Sequence, residues 1–134
     1  MNELKRATLQ LRNGDTVECS LSFSLSAPWE IYFAGAEFEN EKFEGSDLFK
    51  AFLALRSKLE EAGYKILCNG ARLDVLSSGM SRSMGGGRKA YVVKIGYPAR
   101  MKDMLDIFDY ADPELIATSQ EQKKFTKQWL ESLK

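Results

Sequence analysis

The stretch 7-ATLQLRNGDTVECSLSF-23 decides the fold class. Ala7, Leu9 and Leu11 alternate with polar residues, and so do Val17, Cys19, Leu21 and Phe23. Strict alternation marks strands with one buried face. Asn13-Gly14 between them marks a hairpin turn. A two-residue turn would set Leu9 opposite Glu18 and Leu11 opposite Thr16, which splits the apolar sets. A three-residue, bulged connection over Asn13, Gly14 and Asp15 pairs Leu11 with Val17, Leu9 with Cys19 and Ala7 with Leu21. Because side chains alternate with a period of two, this longer turn is the expected one.

Working outward, 29-WEIYFAGAEFENEKFE-44 reads as one or two further strands around Gly35. Ile31 and Phe33 share a face, Tyr32 lies opposite, and Phe38 and Phe43 point inward. The segment 47-DLFKAFLALRSKLEEAG-63 is the clearest helix. Ser46 or Asp47 caps it, Leu48, Phe49, Phe52, Leu53, Leu55 and Leu59 form its apolar stripe, and Gly63 stops it. A second hairpin is expected in 64-YKILCNGARLDVL-76, turning at Asn69-Gly70 and pairing Cys68 with Ala71, Ile66 with Leu73, Tyr64 with Val75 and Lys65 with Asp74. A third strand, 89-KAYVVKI-95, returns with Tyr91, Val93 and Ile95 on one face. Its connection from residue 77 is long for a hairpin.

The segment 103-DMLDIFDY-110 reads as a short helical piece, with Pro113 at the start of a further turn. A last helix starts at Ser119 with Gln122 completing a capping box, and buries Phe125, Trp129 and Leu133. The expected class is α+β: an antiparallel sheet built from hairpins, with one central helix and a C-terminal helix packed on one face. Residues 1–134 read as one domain, by length and by the lack of any linker or repeat.

Composition narrows the function. Nineteen basic and nineteen acidic residues give zero formal net charge, so no global field draws the chain to nucleic acid or to a membrane. No apolar run approaches the roughly 18 residues that span a bilayer. The N-terminus has charges and no apolar core of a signal peptide, so a cytoplasmic location is expected. Cys19 and Cys68 read as reduced core thiols rather than a bridge. Histidine is absent, which removes the commonest general base and zinc ligand and the Ser-His-Asp triad. No catalytic residue, metal site or cofactor is expected.

The stretch 77-SSGMSRSMGGGRKAY-91 offers the densest chemistry. Arg82, Arg88 and Lys89 surround Gly85, Gly86 and Gly87. Amides of such a turn can cradle an anion while arginine grips it. The letters do not match a Walker loop, and a strand rather than a helix follows. A small anion-binding domain or enzyme using residues 77–89 is therefore the alternative reading. Ser77, Ser78, Ser81 and Ser83 beside Lys89 do not have Ser-x-x-Lys spacing and read as turn formers. Arg72, Arg88 and Lys94 near Tyr91 suggest a nucleic-acid stacking platform, but the flanking acids oppose it and no nucleic-acid partner is expected.

Charge is segregated along the chain. Residues 28–47 hold six acids (Glu30, Glu37, Glu39, Glu41, Glu44, Asp47) against Lys42. Residues 72–102 hold seven bases against Asp74, and 103–114 hold five acids and no base. Such blocks suit docking to a charged protein. Asp103, Asp106 and Asp109 recur every third residue, as along one side of a helix. Trp29, Tyr32 and Tyr97 are candidate aromatic anchors.

The segments 68-CNGARLDVLSSGMSRSMGGGRKAYVVKIG-96, 106-DIFDYADPEL-115 and 125-FTKQWLESL-133 resemble small bacterial proteins associated with toxin–immunity loci, the immunity proteins of contact-dependent inhibition and similar systems. The resemblance covers roughly the second half of the chain. That class shares no single fold, so it implies a role, neutralising a cognate toxin, and no list of site residues. The charge pattern and the overlong connection from residue 77 place the expected partner contacts on Glu37, Glu39, Glu41 and Glu44, and on Arg82, Met84 and Arg88.

Overall fold

The computed structural model describes residues 2–77 and 85–134. These form an α+β structure of two antiparallel sheets and two helices. Strands β1 (Asn2–Gln10), β2 (Thr16–Ser24), β3 (Trp29–Gly35), β4 (Phe38–Gly45) and β5 (Lys65–Ile66) make a five-stranded sheet in the order β4-β3-β2-β1-β5. Strands β6 (Val75–Leu76), β7 (Lys89–Val92) and β8 (Met104–Asp106) make a smaller sheet with β7 in the middle. Helix α1 (Leu48–Glu61) packs on the inner face of the large sheet, and α2 (Ser119–Ser132) closes the chain.

The first hairpin forms with a three-residue bulged loop, but one position earlier than expected. Leu11 N–H donates to Asp15 O (2.8 Å) and Gly14 N–H to Leu11 O (2.9 Å), so Arg12, Asn13 and Gly14 are the loop. Gly14, at φ +94°, takes the left-handed place that ends such a loop, and this fixes the register. Leu9 therefore faces Val17, and Ala7 faces Cys19. The slip is two residues, so the inward set survives: Leu9, Cys19, Leu21 and Phe23 are buried. β3 and β4 turn over Ala36-Glu37, with Ile31 and Phe33 inward.

Helix α1 forms where its stripe and cap place it. Asp47 Oδ1 accepts from Lys50 N–H (2.7 Å), and Gly63 follows the C-cap at φ +89°. Leu48, Phe49, Phe52, Leu55 and Leu59 are buried against the sheet. Phe108 joins the two halves, stacked on Phe23 with ring centroids 4.3 Å apart and edge-on to Phe52.

The second hairpin does not form. Ile66 pairs with Leu9 of β1, Val75 pairs with Val92 of β7, and Asn69–Ala71 is a buried 3-10 turn. Neither Asn69 nor Gly70 takes the positive φ that a tight hairpin turn needs. Their amides donate instead to Asp109 O and Ile107 O, both at 2.9 Å. Gly70 is required by closeness: a β-carbon there would stand 2.8 Å from Cε2 of Phe52. Lys65 and Asp74 do not meet, and Asp74 binds Arg72 (2.8 Å).

Residues 103–110 are not helical: a 3-10 turn over Met101–Asp103 leads into β8, which pairs with β7. Their adjacent apolar residues Ile107 and Phe108 are both buried, which extended chain between packed layers allows. β7 alternates between two clusters. Ala90 and Val92 face the main core, while Tyr91 and Val93 face Trp129 of α2. Ile95, expected to share that face, is exposed. The capping box of α2 is Thr118 with Glu121, one residue before the expected pair, and Leu133 is exposed at the helix end. Both cysteines are free and buried.

Candidate functional site

The glycine run is packing against the body. The carbonyl of Gly86 accepts from Leu48 N–H (2.6 Å) at the start of α1. Gly86 and Gly87 sit at φ +63° and +86°. A β-carbon on Gly86 would stand 2.7 Å from Cζ3 of Trp29, and one on Gly87 2.9 Å from the amide nitrogen of Phe49. An anion nest presents amides outward, whereas here a carbonyl is turned to the helix N-terminus. Ser78, Ser81, Arg82, Ser83 and Met84 lie outside the described residues.

Arg88 is held within the molecule. Its Nη1 and Nη2 donate to Glu3 (2.9 and 2.7 Å), its Nε donates to Asp106 (2.9 Å), and its guanidinium lies 5.0 Å from the centre of the Phe23 ring. The hydrogen bonds it donates to the Glu3 carboxylate raise its pKa above the ordinary arginine value. Lys89 is exposed beside it.

Internal pairing also takes up three of the five acids of residues 103–114. Asp103 binds Arg100 (3.1 Å), Asp106 binds Arg88, and Asp109 binds Lys5. The three aspartates that recur every third residue thus serve three different cations on a strand and its flanks.

The acidic segment 37–44 behaves differently. β4 is an edge strand, with a bulge at Glu39 and Asn40, the latter at φ +50°. Glu37 and Glu41 line an open groove of about 400 Å³ with Phe38, Lys58, Glu61 and Ala62. Phe38 meets the Tyr64 ring edge-on at 6.4 Å. The Tyr64 hydroxyl donates to Glu37 Oε1 (2.6 Å), which raises the phenol pKa above its ordinary range. Glu39 is exposed on the bulge beside this groove. Among the described residues, no lysine or arginine pairs with Glu37, Glu39 or Glu41. The C-terminal end of α1 reaches the same place and adds the negative pole of its dipole. Glu44 stands apart on the outer face, bound to Lys42 (2.9 Å), and that hydrogen bond raises the Lys42 pKa. The fold thus gathers Glu37, Glu39 and Glu41 and separates them from Glu44 and Arg88. Glu61 and Tyr64 join them without any sequence signal, because only the packing of α1 on β4 brings them there.

Sequence reading also missed a buried polar knot. Arg56 sits within the apolar stripe of α1, 2% exposed. It donates to Gln122 Oε1 (2.7 Å), Ala71 O (3.0 Å) and Ala117 O. Burial lowers its pKa from the ordinary arginine value. Gln122 Nε2 in turn faces the carbonyls of Gly70, Arg72 and Val75 at 3.0, 2.7 and 3.0 Å. The knot fastens α2 to the body.

Among the described residues, no group of three acidic or thiol side chains is placed to hold a metal ion, and no helix is long and apolar enough to cross a membrane. No family model matches the chain, and no curated protein matches it.

Proposed function

We propose that this chain is a cytoplasmic protein-binding module, an immunity protein that binds and neutralises a cognate bacterial toxin through the β4 edge. The observation behind this is the contrast in charge. Asp103, Asp106 and Asp109 are paired within the molecule, while Glu37, Glu39 and Glu41 are left around an open groove with Glu61. A toxin that handles phosphate carries a basic site. Exposed, unpaired carboxylates steer such a surface into encounter and weaken as salt screens them. Phe38, packed edge-on against Tyr64, lines the groove beneath these carboxylates. No catalytic residue is needed for inhibition by occlusion.

The test needs a candidate toxin domain, sought among the genes flanking the one for this chain. Association rates are measured for the wild-type protein and for the Glu39→Lys/Glu41→Lys variant. The expected result is a wild-type rate that falls steeply between about 0.05 and 0.5 M salt, and a variant at least about tenfold slower at low salt. An association rate that ignores both salt and the reversal would remove the acidic edge from the interface.

A further inference from the structure

Five of the eleven large apolar side chains that stand exposed among the described residues belong to one corner: Ile95, Tyr97, Met101, Leu130 and Leu133, between 41% and 60% exposed. Two hydrogen bonds bring the turn of Ile95 and Tyr97 to the end of α2 that carries Leu130 and Leu133. Gly96 N–H donates to Ser132 Oγ (2.9 Å), and Trp129 Nε1 donates to Tyr97 O (2.8 Å). Between these pins, residues 94–97 form a tight turn. Tyr97 N–H donates to Lys94 O (3.0 Å), and Gly96 at φ +88° closes it. The turn is thus rigid, and it lifts Ile95 and Tyr97 into solvent.

The charges around this corner are basic. Lys94 lies 5.2 Å from the centre of the Tyr97 ring, and Lys102 and Lys134 are exposed nearby in sequence. Among the described residues none of these three lysines is in an ion pair. Arg100 is bound to Asp103, and Glu131 is the one acid on this end of α2.

We infer that this corner binds an anionic lipid surface, by inserting Ile95, Tyr97 and Met101 while Lys94, Lys102 and Lys134 meet the headgroups. The shape favours lipid over a folded partner. The apolar side chains stand on three separate segments, a turn tip, a 3-10 turn and a helix end. A fluid interface closes around such points, whereas a protein would need a pocket for each. Apolar insertion and basic charge are the two signals that reversible membrane attachment requires together. The inference is independent of toxin binding, since the corner shares no residue with the β4 edge.

The experiment is sedimentation of the full chain with vesicles. Phosphatidylcholine vesicles with about 30% phosphatidylserine are compared with phosphatidylcholine alone, at low and physiological salt. The expected result is pelleting with the anionic vesicles only, weakened by salt. Ile95→Ser/Tyr97→Ser and Lys94→Glu/Lys102→Glu should each lower the partition coefficient at least about tenfold. Both pairs are exposed, and an unchanged melting temperature confirms that the variants fold. Wild-type protein left in the supernatant would overturn the inference and leave the corner to an acidic protein surface. Equal binding to neutral vesicles, or undiminished pelleting of the Ile95/Tyr97 variant, would overturn it as well.

Discussion

Trp29 of the large sheet and Gly86 at the entry to the small one touch so closely that residue 86 has no room for a side chain: its β-carbon would lie 2.7 Å from Cζ3 of the indole. Gly86 also holds φ +63° and accepts from the first amide of α1. Gly86→Ala combines a left-handed backbone with overpacking and should cost about 2 to 4 kcal/mol. Gly85 is the internal control. A β-carbon there meets nothing within 4 Å, so Gly85→Ala should stay within about 0.5 kcal/mol of wild type. Urea unfolding of the two variants measures the difference. Equal stabilities would mean that the glycine run is not there for packing.

The buried knot makes a second prediction. Gln122→Ala takes one hydrogen bond from the buried Arg56 guanidinium, which keeps Ala71 O, Ala117 O and the nearby Glu60, and removes the amide that faces the carbonyls of Gly70, Arg72 and Val75. Arg56→Met leaves Gln122 Oε1 and Ala117 O without their donor. Each change should cost about 2 to 3 kcal/mol, because buried polar atoms lose a partner that water cannot replace. The double variant Arg56→Met/Gln122→Leu should cost clearly less than the sum, by at least about 1 kcal/mol. A double-mutant cycle by chemical denaturation reads this directly. Additive losses would show that the two residues act separately and do not couple α1 to α2.

These two features mark where sequence reading stopped. Period-two and helical patterns located β1 to β4 and α1 because one face of each is buried. They also located β7 and the shared face of Tyr91 and Val93, but gave no sign that Ala90 and Val92 bury its other face. Asn69-Gly70 carries a strong local turn signal, yet the carbonyls of Asp109 and Ile107 and the ring of Phe52 impose a different backbone. Nothing near Arg56 in the sequence signals its burial, which Gln122, two carbonyls and the neighbouring Glu60 make tolerable. The acidic block at 103–114 looked like a surface because its cations come from residues 5, 88 and 100. Glu37, Glu39 and Glu41 were legible because no distant cation comes to meet them.

The two thiols give a pH prediction with a definite sign. Burial pushes both Cys19 and Cys68 up to about 12, from an ordinary value of 9.0. The native state keeps these protons while the unfolded chain releases them above pH 9. Their stabilising effect is therefore complete below pH 9 and is lost as pH rises from 9 toward 12. The slope approaches about 1.4 kcal/mol per pH unit for each thiol. Urea midpoints measured from pH 8 to 11 should fall, and should fall less steeply for Cys19→Ala/Cys68→Ala, which removes this part of the titration. Parallel pH profiles for the variant and the wild-type protein would contradict the burial of these thiols.

The last prediction separates two reasons for carboxylates on β4. Edge strands are often charged simply to prevent sheets from joining edge to edge. Lysine serves that purpose as well as glutamate does. Glu39→Lys/Glu41→Lys therefore preserves the guard while reversing the field of the groove. Residue 39 is exposed, and a lysine at 41 would stand among Glu37 and Glu61, which attract it. Stability should stay within about 0.5 kcal/mol of wild type, and the variant should remain free of aggregation on prolonged incubation. If edge protection is the whole purpose, the variant should also bind the toxin domain as fast as wild type at low salt. If the groove steers a basic partner, association falls while stability does not. A fall in both together would point to damage of the β3–β4 ladder, and Glu39→Gln/Glu41→Gln, which removes charge without adding any, would then decide: association should drop to an intermediate rate with a native melting temperature.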